Sequence, residues 1–236
     1  MSIIIQTFQS WQPWRQFIKL ATPILVAEIL HLSSTVVDTI MAGQYSSTDL
    51  AGVSIGGSTL FPIMILLIGI LMATTPTVAQ AFGANKLHQI GPTVQQSIWL
   101  AISLGIVGVI LLQQSHVVFD LLDIHGSIRS IAFDYLQIAA FCLPAIALMQ
   151  SLRSFSEGLG ITKPMVYFTL LGALVNIPMN YIFIYGKLGL PAMGGVGCAW
   201  ATVISAWVTT IGMACYIYLR PIYHQCGFFD QLNLPH

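Results

Sequence analysis

Apolar stretches near the length that crosses a bilayer recur along the chain, at about 17–41, 53–80, 95–117, 131–153, 165–186 and 195–219. Polar connectors separate them at 43–49, 83–92, 157–164 and 186–195, each with a glycine or proline where a helix has to stop. The pattern predicts six transmembrane helices in a single unit. The connector around 119–130 carries Asp120, Asp123 and Arg129 and is expected to hold a short surface helix. No element is predicted for the polar, aromatic tail at 220–236. The first stretch is too long for a signal-peptide core and lacks a small-residue cleavage site, so it is expected to stay in the mature protein.

Composition turns this pattern into a class. Hydrophobic residues make up 56% of the 236 positions and charged residues 7%, against roughly 25% in soluble domains. An all-α integral membrane protein is implied. Eight Lys+Arg balance eight Asp+Glu, which leaves no basic excess for nucleic acid. Arg15, Lys19, Lys86, Arg153, Lys163 and Arg220 flank one side of the spans, and Arg129 and Lys187 the other. By the positive-inside rule both termini, and the 220–236 tail, are expected in the cytoplasm.

Little in the chain suggests catalysis or a metal centre. Ser130 with Asp134 is the nearest approach to a nucleophile and base and has no spacing signature, so no enzyme is expected. Cys142, Cys198, Cys215 and Cys226 form no Cys-x-x-Cys pair and read as small packing residues. The histidines show no ligand spacing.

The candidate chemistry is inside the spans. Asp38 lies in the first apolar run, where a carboxylate costs roughly 2.5–3.5 kcal/mol on insertion scales and therefore marks a function. On a helical wheel Glu28, His31, Thr35 and Asp38 fall within an arc of about 80°, a polar stripe that must face protein or water. The fifth span carries Asn176 and Asn180 at i and i+4, with Pro178 between them freeing backbone carbonyls. Tyr135, Gln150 and Thr202 are weaker cavity-lining candidates. Prolines within the spans, at 23, 62, 76, 144 and 178, are expected to kink them. Gly52, Gly56 and Gly57, with Gly194, Gly195 and Gly197, predict close helix approach. Scarce Lys and Arg within the spans favours a cationic or neutral substrate over a phosphate-bearing one.

Several motifs carry a family resemblance. Val37-Asp38-Thr39-Ile40-Met41-Ala42-Gly43, Leu152-Arg153-Ser154-Phe155 followed by Thr162-Lys163-Pro164, Asn176-Ile177-Pro178-Met179-Asn180, Tyr185-Gly186-Lys187 and Gly194-Gly195-Val196-Gly197-Cys198 resemble, in order, the multidrug and toxic compound extrusion (MATE) transporters, and within them the NorM-type bacterial branch. The resemblance implies a multi-pass protein of the bacterial inner membrane, with twelve helices in two six-helix lobes. It also implies export of organic cations and drugs in exchange for Na+ or H+, with no other cofactor. On this reading Asp38 is the coupling acid, the only place where Na+ is expected, with Asn176 and Asn180 beside it. Pro23 is then the point at which the first helix bends as the acid changes state. Glu28 and His31 depart from the expected pattern. The chain covers one lobe, which leaves four readings. It is the amino-terminal lobe or a truncated form of an antiporter, a half-transporter that pairs with itself or a second lobe, a lipid or lipid-linked-sugar flippase, or a non-transporting scaffold.

Overall fold

The computed structural model describes residues 12–121, 123–226 and 228. The side chains of Arg15 and Lys19, which counted toward orientation, and the tail beyond Phe228 lie outside the described residues. The chain runs through α1 (Gln12–Tyr45), α2 (Ser47–Met72), α3 (Thr74–Gly83), a 3-10 turn (Leu87–Gln89), α4 (Ile90–Gln113), α5 (His116–Leu121), α6 (Gly126–Ala139), α7 (Cys142–Gly158), α8 (Lys163–Tyr185), α9 (Gly195–Leu219) and α10 (Pro221–His224). Five segments are long and apolar enough to cross a membrane, namely α1, α2 with α3, the 3-10 turn with α4, α8 and α9. A sixth is formed by α6 and α7 together.

Two predicted spans are broken, and the same chemistry explains both. The expected helix over 131–153 is two helices meeting at a 44° bend, and the expected helix over 53–80 divides at Ala73. Pro144 and Pro76 sit four residues beyond Ala140 and Met72, the carbonyls whose donors each proline removes and against which each ring collides. At the first break Leu143 N picks up Ala140 O at 3.0 Å. The Trp207 indole donates to Phe141 O at 3.2 Å, and the Thr210 hydroxyl donates to Ala145 O at 2.9 Å, so α9 helps satisfy backbone around the bend. Pro23, Pro62 and Pro178 lie inside helices that continue past them. The expected kinks at Pro23 and Pro178 are therefore not helix breaks.

Other boundaries moved less. The third span ends at Gln113 rather than 117, and the expected short surface helix falls at His116–Leu121, upstream of most of the 119–130 stretch. The tail begins with α10, where Pro221 occupies the first helical position.

The bundle has two well-defined ends. At one, Asp49 of α2 lies against the start of α9, its Oδ1 accepting from Gly195 N at 2.6 Å. There Tyr185 of α8 meets Tyr45 of α1 with ring centroids 6.2 Å apart. At the other, Phe168 of α8 packs on Tyr216 of α9, and Phe155 of α7 packs on Tyr223 of α10. Small residues set the spacing between. A Cβ on Gly105 of α4 would come within 2.7 Å of Pro144 Cα on α7, and one on Gly197 of α9 within 2.7 Å of Phe183 C on α8. Gly52, Gly56 and Gly195 are equally close to neighbours, whereas Gly57 faces open space. Polar glue ties α3, α4 and α7: Thr74 donates to Ser97 Oγ at 2.9 Å, Ser97 to Ser151 Oγ at 2.9 Å and Ser151 to Ser97 O at 3.1 Å.

The first helix is the least buried of the spans. It packs on α8 and, less extensively, on α2, while Leu25, Ile29, Leu32, Val36 and Ile40 are exposed along its length.

Candidate cation site

The middle of α1 is rich in hydroxyls, and the helix consumes them itself. Ser33 donates to Ile29 O at 2.8 Å, Ser34 to Leu30 O at 3.2 Å, Thr35 to His31 O at 3.3 Å and Thr39 to Thr35 O at 2.9 Å. Asp38 is different because its carboxylate reaches another helix. Its Oδ1 accepts a hydrogen bond from Asn180 Nδ2 of α8. The same amide group donates to Asn176 Oδ1 at 3.0 Å, one turn earlier on α8. Asn180 is fully buried and Asn176 nearly so.

The helices hold these groups in place from both sides. One turn beyond Asp38, Ala42 is sealed in a core cluster with Tyr135, Ile184 and Cys198, and Tyr185 donates to Met41 O at 3.3 Å. The Cys198 thiol lies 3.9 Å from Asp38 O, which brings α9 to the same level. These contacts fix how far α1 is rotated and pressed against α8, which in turn aims the carboxylate.

One polar atom is left over. Asn180 Oδ1 is buried and has no hydrogen-bond partner, an arrangement that normally costs about 1–3 kcal/mol. It lies on the same amide whose nitrogen contacts Asp38. The set available is one carboxylate and two amide oxygens, hard donors suited to a proton on Asp38 or to Na+. Among the described residues no group of three or more His, Cys, Asp or Glu side chains gathers to hold a metal ion.

The remaining candidates make other contacts. The predicted stripe on α1 is divided: Glu28 leaves it to accept from Arg153 Nη2 at 2.9 Å, His31 is exposed and Thr35 bonds its own helix. Of the four, Asp38 is the one whose side chain hydrogen-bonds α8. Tyr135 is core, filling the notch left by Gly56. Gln150 is buried in α7 and donates to Ser154 Oγ at 3.3 Å. Thr202 donates to Cys198 O of its own helix at 2.9 Å. None of these three side chains has a hydrogen bond to Asp38, Asn176 or Asn180.

Two sets of charged contacts were not foreseen from the sequence. Arg153 Nε also donates to Glu157 Oε1 at 2.8 Å, so one guanidinium joins two carboxylates and ties α1 to α7. The i,i+4 spacing of Arg153 and Glu157 was visible in the chain, whereas the link to Glu28 was not. Asp49 caps α9 from another helix, and Gly194 next to it adopts φ +56°, where a Cβ would run into the Asp49 carboxylate and Tyr45. The glycine run before Cys198 was the available hint.

The fold and the site together define a polytopic α-helical membrane protein whose bundle holds a carboxylate and two carboxamides at the depth of its spans. The MatE family model matches residues 23–182, and the chain belongs to that family, the multidrug and toxic compound extrusion transporters, which are not enzymes. Over 220 residues it is 39% identical to "Multidrug resistance protein NorM" of Vibrio parahaemolyticus, with 92% of this chain and 48% of that protein covered. It is 41% identical over 202 residues to "Probable multidrug resistance protein NorM" of Pasteurella multocida, covering 86% of this chain and 44% of that protein. Its fold matches a solved outward-facing multidrug resistance MATE family transporter with a TM-score of 0.81 at 23% identity, over 88% of this chain and 45% of the other. The chain spans about half the length of the curated relatives it matches, and its bundle corresponds to one six-helix lobe.

Proposed function

We propose that this chain supplies one lobe of a multidrug exporter driven by Na+ or H+, with Asp38 as the coupling acid and Asn180 and Asn176 as its partners. The observation that carries this reading is the shared amide. Asn180 holds both Asp38 and Asn176 while its own buried oxygen lacks a partner. A proton or Na+ arriving at the carboxylate removes or screens the charge that accepts from Asn180, so α1 and α8 exchange one set of contacts for another. That is a physical route from ion occupancy to helix position. The multidrug resistance names of the NorM relatives support drug efflux as the transport outcome.

Alternating access requires two bundles that rock against each other, so the functional unit pairs this lobe with a second six-helix lobe. The exposed face of α1, with Leu25, Ile29, Leu32 and Val36 beside Ser33 and Thr39, together with Ser54 and Ser58 of α2, is the surface offered to it. Lys86, Arg153, Lys163 and Arg220 favour an orientation with both termini in the cytoplasm.

The test is an Asp38→Asn substitution in a chimera joining this chain to the carboxy-terminal half of the Vibrio parahaemolyticus relative. Membrane insertion is expected to be unchanged and ethidium efflux to fall to the background of cells lacking the chimera. Efflux equal to the unsubstituted chimera would remove Asp38 from coupling. Imposed Na+ and pH gradients in proteoliposomes then identify the driving ion. Molecular mass in detergent separates pairing with a second copy from an isolated lobe.

A further inference from the structure

The connection between α8 and α9 carries an apolar tip that the proposed transport site does not use. Leu188 is 85% exposed, and Leu190 two residues on is 41% exposed. The chain turns sharply there. Leu190 N donates to Lys187 O at 3.2 Å, and both central residues have positive φ, +56° at Leu188 and +83° at Gly189. That is the pattern of a type I′ turn, whose first central position favours Asn, Asp or Gly. A leucine there meets a steric resistance that those residues tolerate better. Local conformation does not explain Leu188, and at this exposure neither does packing within the chain.

Bonds to α8 fix where the tip sits. Lys187 N donates to Ile182 O at 3.0 Å, Met193 N to Phe183 O at 3.0 Å and Gly194 N to Ile184 O at 3.2 Å. The loop is thereby folded down on the last turn of α8 and does not rise from it as a free arch. Gly186, at φ +65°, makes the fold tight, since a Cβ on it would come within 2.5 Å of Ala192 N. The Lys187 ammonium lies 5.8 Å from the Tyr181 ring centroid, so the turn starts over the exposed stripe of α8.

That stripe has the composition of a lipid-facing surface. Tyr167, Leu170, Leu174, Ile177 and Tyr181 are exposed at helical spacing, aliphatic in the middle and tyrosine at each end, as at membrane interfaces. The 23 residues of α8 rise about 34 Å, against a hydrocarbon core of roughly 30 Å. With Lys163 at one polar boundary, the 187–190 turn is at the other. An ammonium, a tyrosine ring and two leucines then coincide at one level, where headgroups give way to acyl chains.

We infer that the 187–190 turn is a membrane anchor, with Leu188 and Leu190 inserted among the acyl chains of the leaflet opposite Lys163 and with Lys187 at the phosphates. Insertion accounts for a bulky apolar side chain held in a turn that disfavours it, because burying Leu188 in hydrocarbon offsets the cost of its backbone. The anchor is independent of the role proposed for Asp38.

The experiment places the fluorophore NBD on Leu188→Cys of the full chain in phosphatidylcholine proteoliposomes, with Cys215→Ser removing the exposed native thiol. Quenching by nitroxide-labelled lipid is compared with quenching by iodide present on both faces of the vesicle. Leu174→Cys, on the exposed stripe, serves as the lipid reference, and Asp123→Cys, whose native side chain is 91% exposed, as the water reference. Nitroxide lipid is expected to quench the Leu188 probe about threefold more strongly than the Asp123 probe, and iodide about threefold less, the behaviour of a group at the headgroup–acyl boundary. Leu188→Asn, which suits the turn, is expected to leave melting in detergent unchanged and to shift a probe on Leu190→Cys from nitroxide toward iodide quenching. A Leu190 probe unmoved by Leu188→Asn would overturn the inference. Iodide quenching of the Leu188 probe equal to that at Asp123 would do the same, because the turn would then be in water. So would shielding from both quenchers, which would make a second copy the occupant, and so would loss of nitroxide quenching in the chimera, which would make the second lobe the occupant.

Discussion

Asn180 donates to Asp38 across 142 positions of sequence, through the same nitrogen that donates to Asn176. Within the described residues this is the one side-chain to side-chain hydrogen bond linking the middle of α1 to α8. A double-mutant cycle on Asp38→Ala and Asn180→Ala is expected to give about 1–2 kcal/mol. That value lies between the average interhelical bond in a membrane protein and a charge-assisted one. Reversible unfolding in mixed micelles measures it. Additive effects of the two substitutions would show that the contact carries no energy.

Asp49 and Gly195 predict a second effect, at the opposite end of function. With Asp49 accepting from Gly195 N at 2.6 Å, Asp49→Ala removes a helix cap and a tie between α2 and α9, costing about 0.5–2 kcal/mol. Asp49→Asn keeps an acceptor oxygen and is expected to cost less than half as much. Gly194→Ala should be worse than either, because φ of +56° strains an L residue and its Cβ would displace the Asp49 carboxylate. Thermal unfolding in detergent ranks the three, and an unaffected Gly194→Ala protein would contradict the arrangement.

The pair Gly105 and Gly57 separates packing from helix propensity. Gly105→Ala places a methyl 2.7 Å from Pro144 Cα, which is backbone and cannot rotate away. Parting α4 from α7 is expected to cost about 1–3 kcal/mol. Gly57→Ala meets nothing within 4 Å and is expected to be neutral or stabilising. The apparent melting temperature should fall for Gly105→Ala and hold or rise for Gly57→Ala, and an unchanged Gly105→Ala protein would reject the close α4–α7 contact.

Arg153 predicts a dependence on salt. Its guanidinium serves both Glu28 and Glu157, with Glu28 half-exposed and Glu157 largely covered. Glu28→Gln is expected to cost at most about 1 kcal/mol, an effect that shrinks as ionic strength rises. Arg153→Met leaves two glutamates facing each other and is expected to cost more. Arg153→Lys should recover only part of the loss because an ammonium has no planar fork with which to hold both partners. Melting curves at low and high salt distinguish these outcomes, and equal losses for Arg153→Lys and Arg153→Met would show that fork geometry is irrelevant.

Helix positions were readable because hydrophobic length and punctuation are local properties. The 195–219 span coincides with α9, and the 165–186 span differs from α8 by one or two residues. The two broken spans were less legible, although Pro76 and Pro144 were in view. At the α6–α7 bend the carbonyl that Pro144 deprives of its helical donor, Ala140 O, is taken by Leu143 N, while Trp207 and Thr210 of α9 donate to Phe141 O and Ala145 O beside it.

The sequence by itself determined that the chain is a bundle of membrane helices, that Asp38 is an acid at bilayer depth and that Asn176 and Asn180 share a helix face. Those conclusions need only hydropathy, the cost of a buried charge and a period of 3.6 residues. Only the tertiary structure decided that Asp38 meets Asn180 while Glu28, on the same arc, turns to Arg153, and that Gln150 and Thr202 bond elsewhere. Partner choice between helices depends on their rotation and axial offset. These are set by glycine contacts, proline breaks and buried rings spread over the whole chain, and no local pattern contains them.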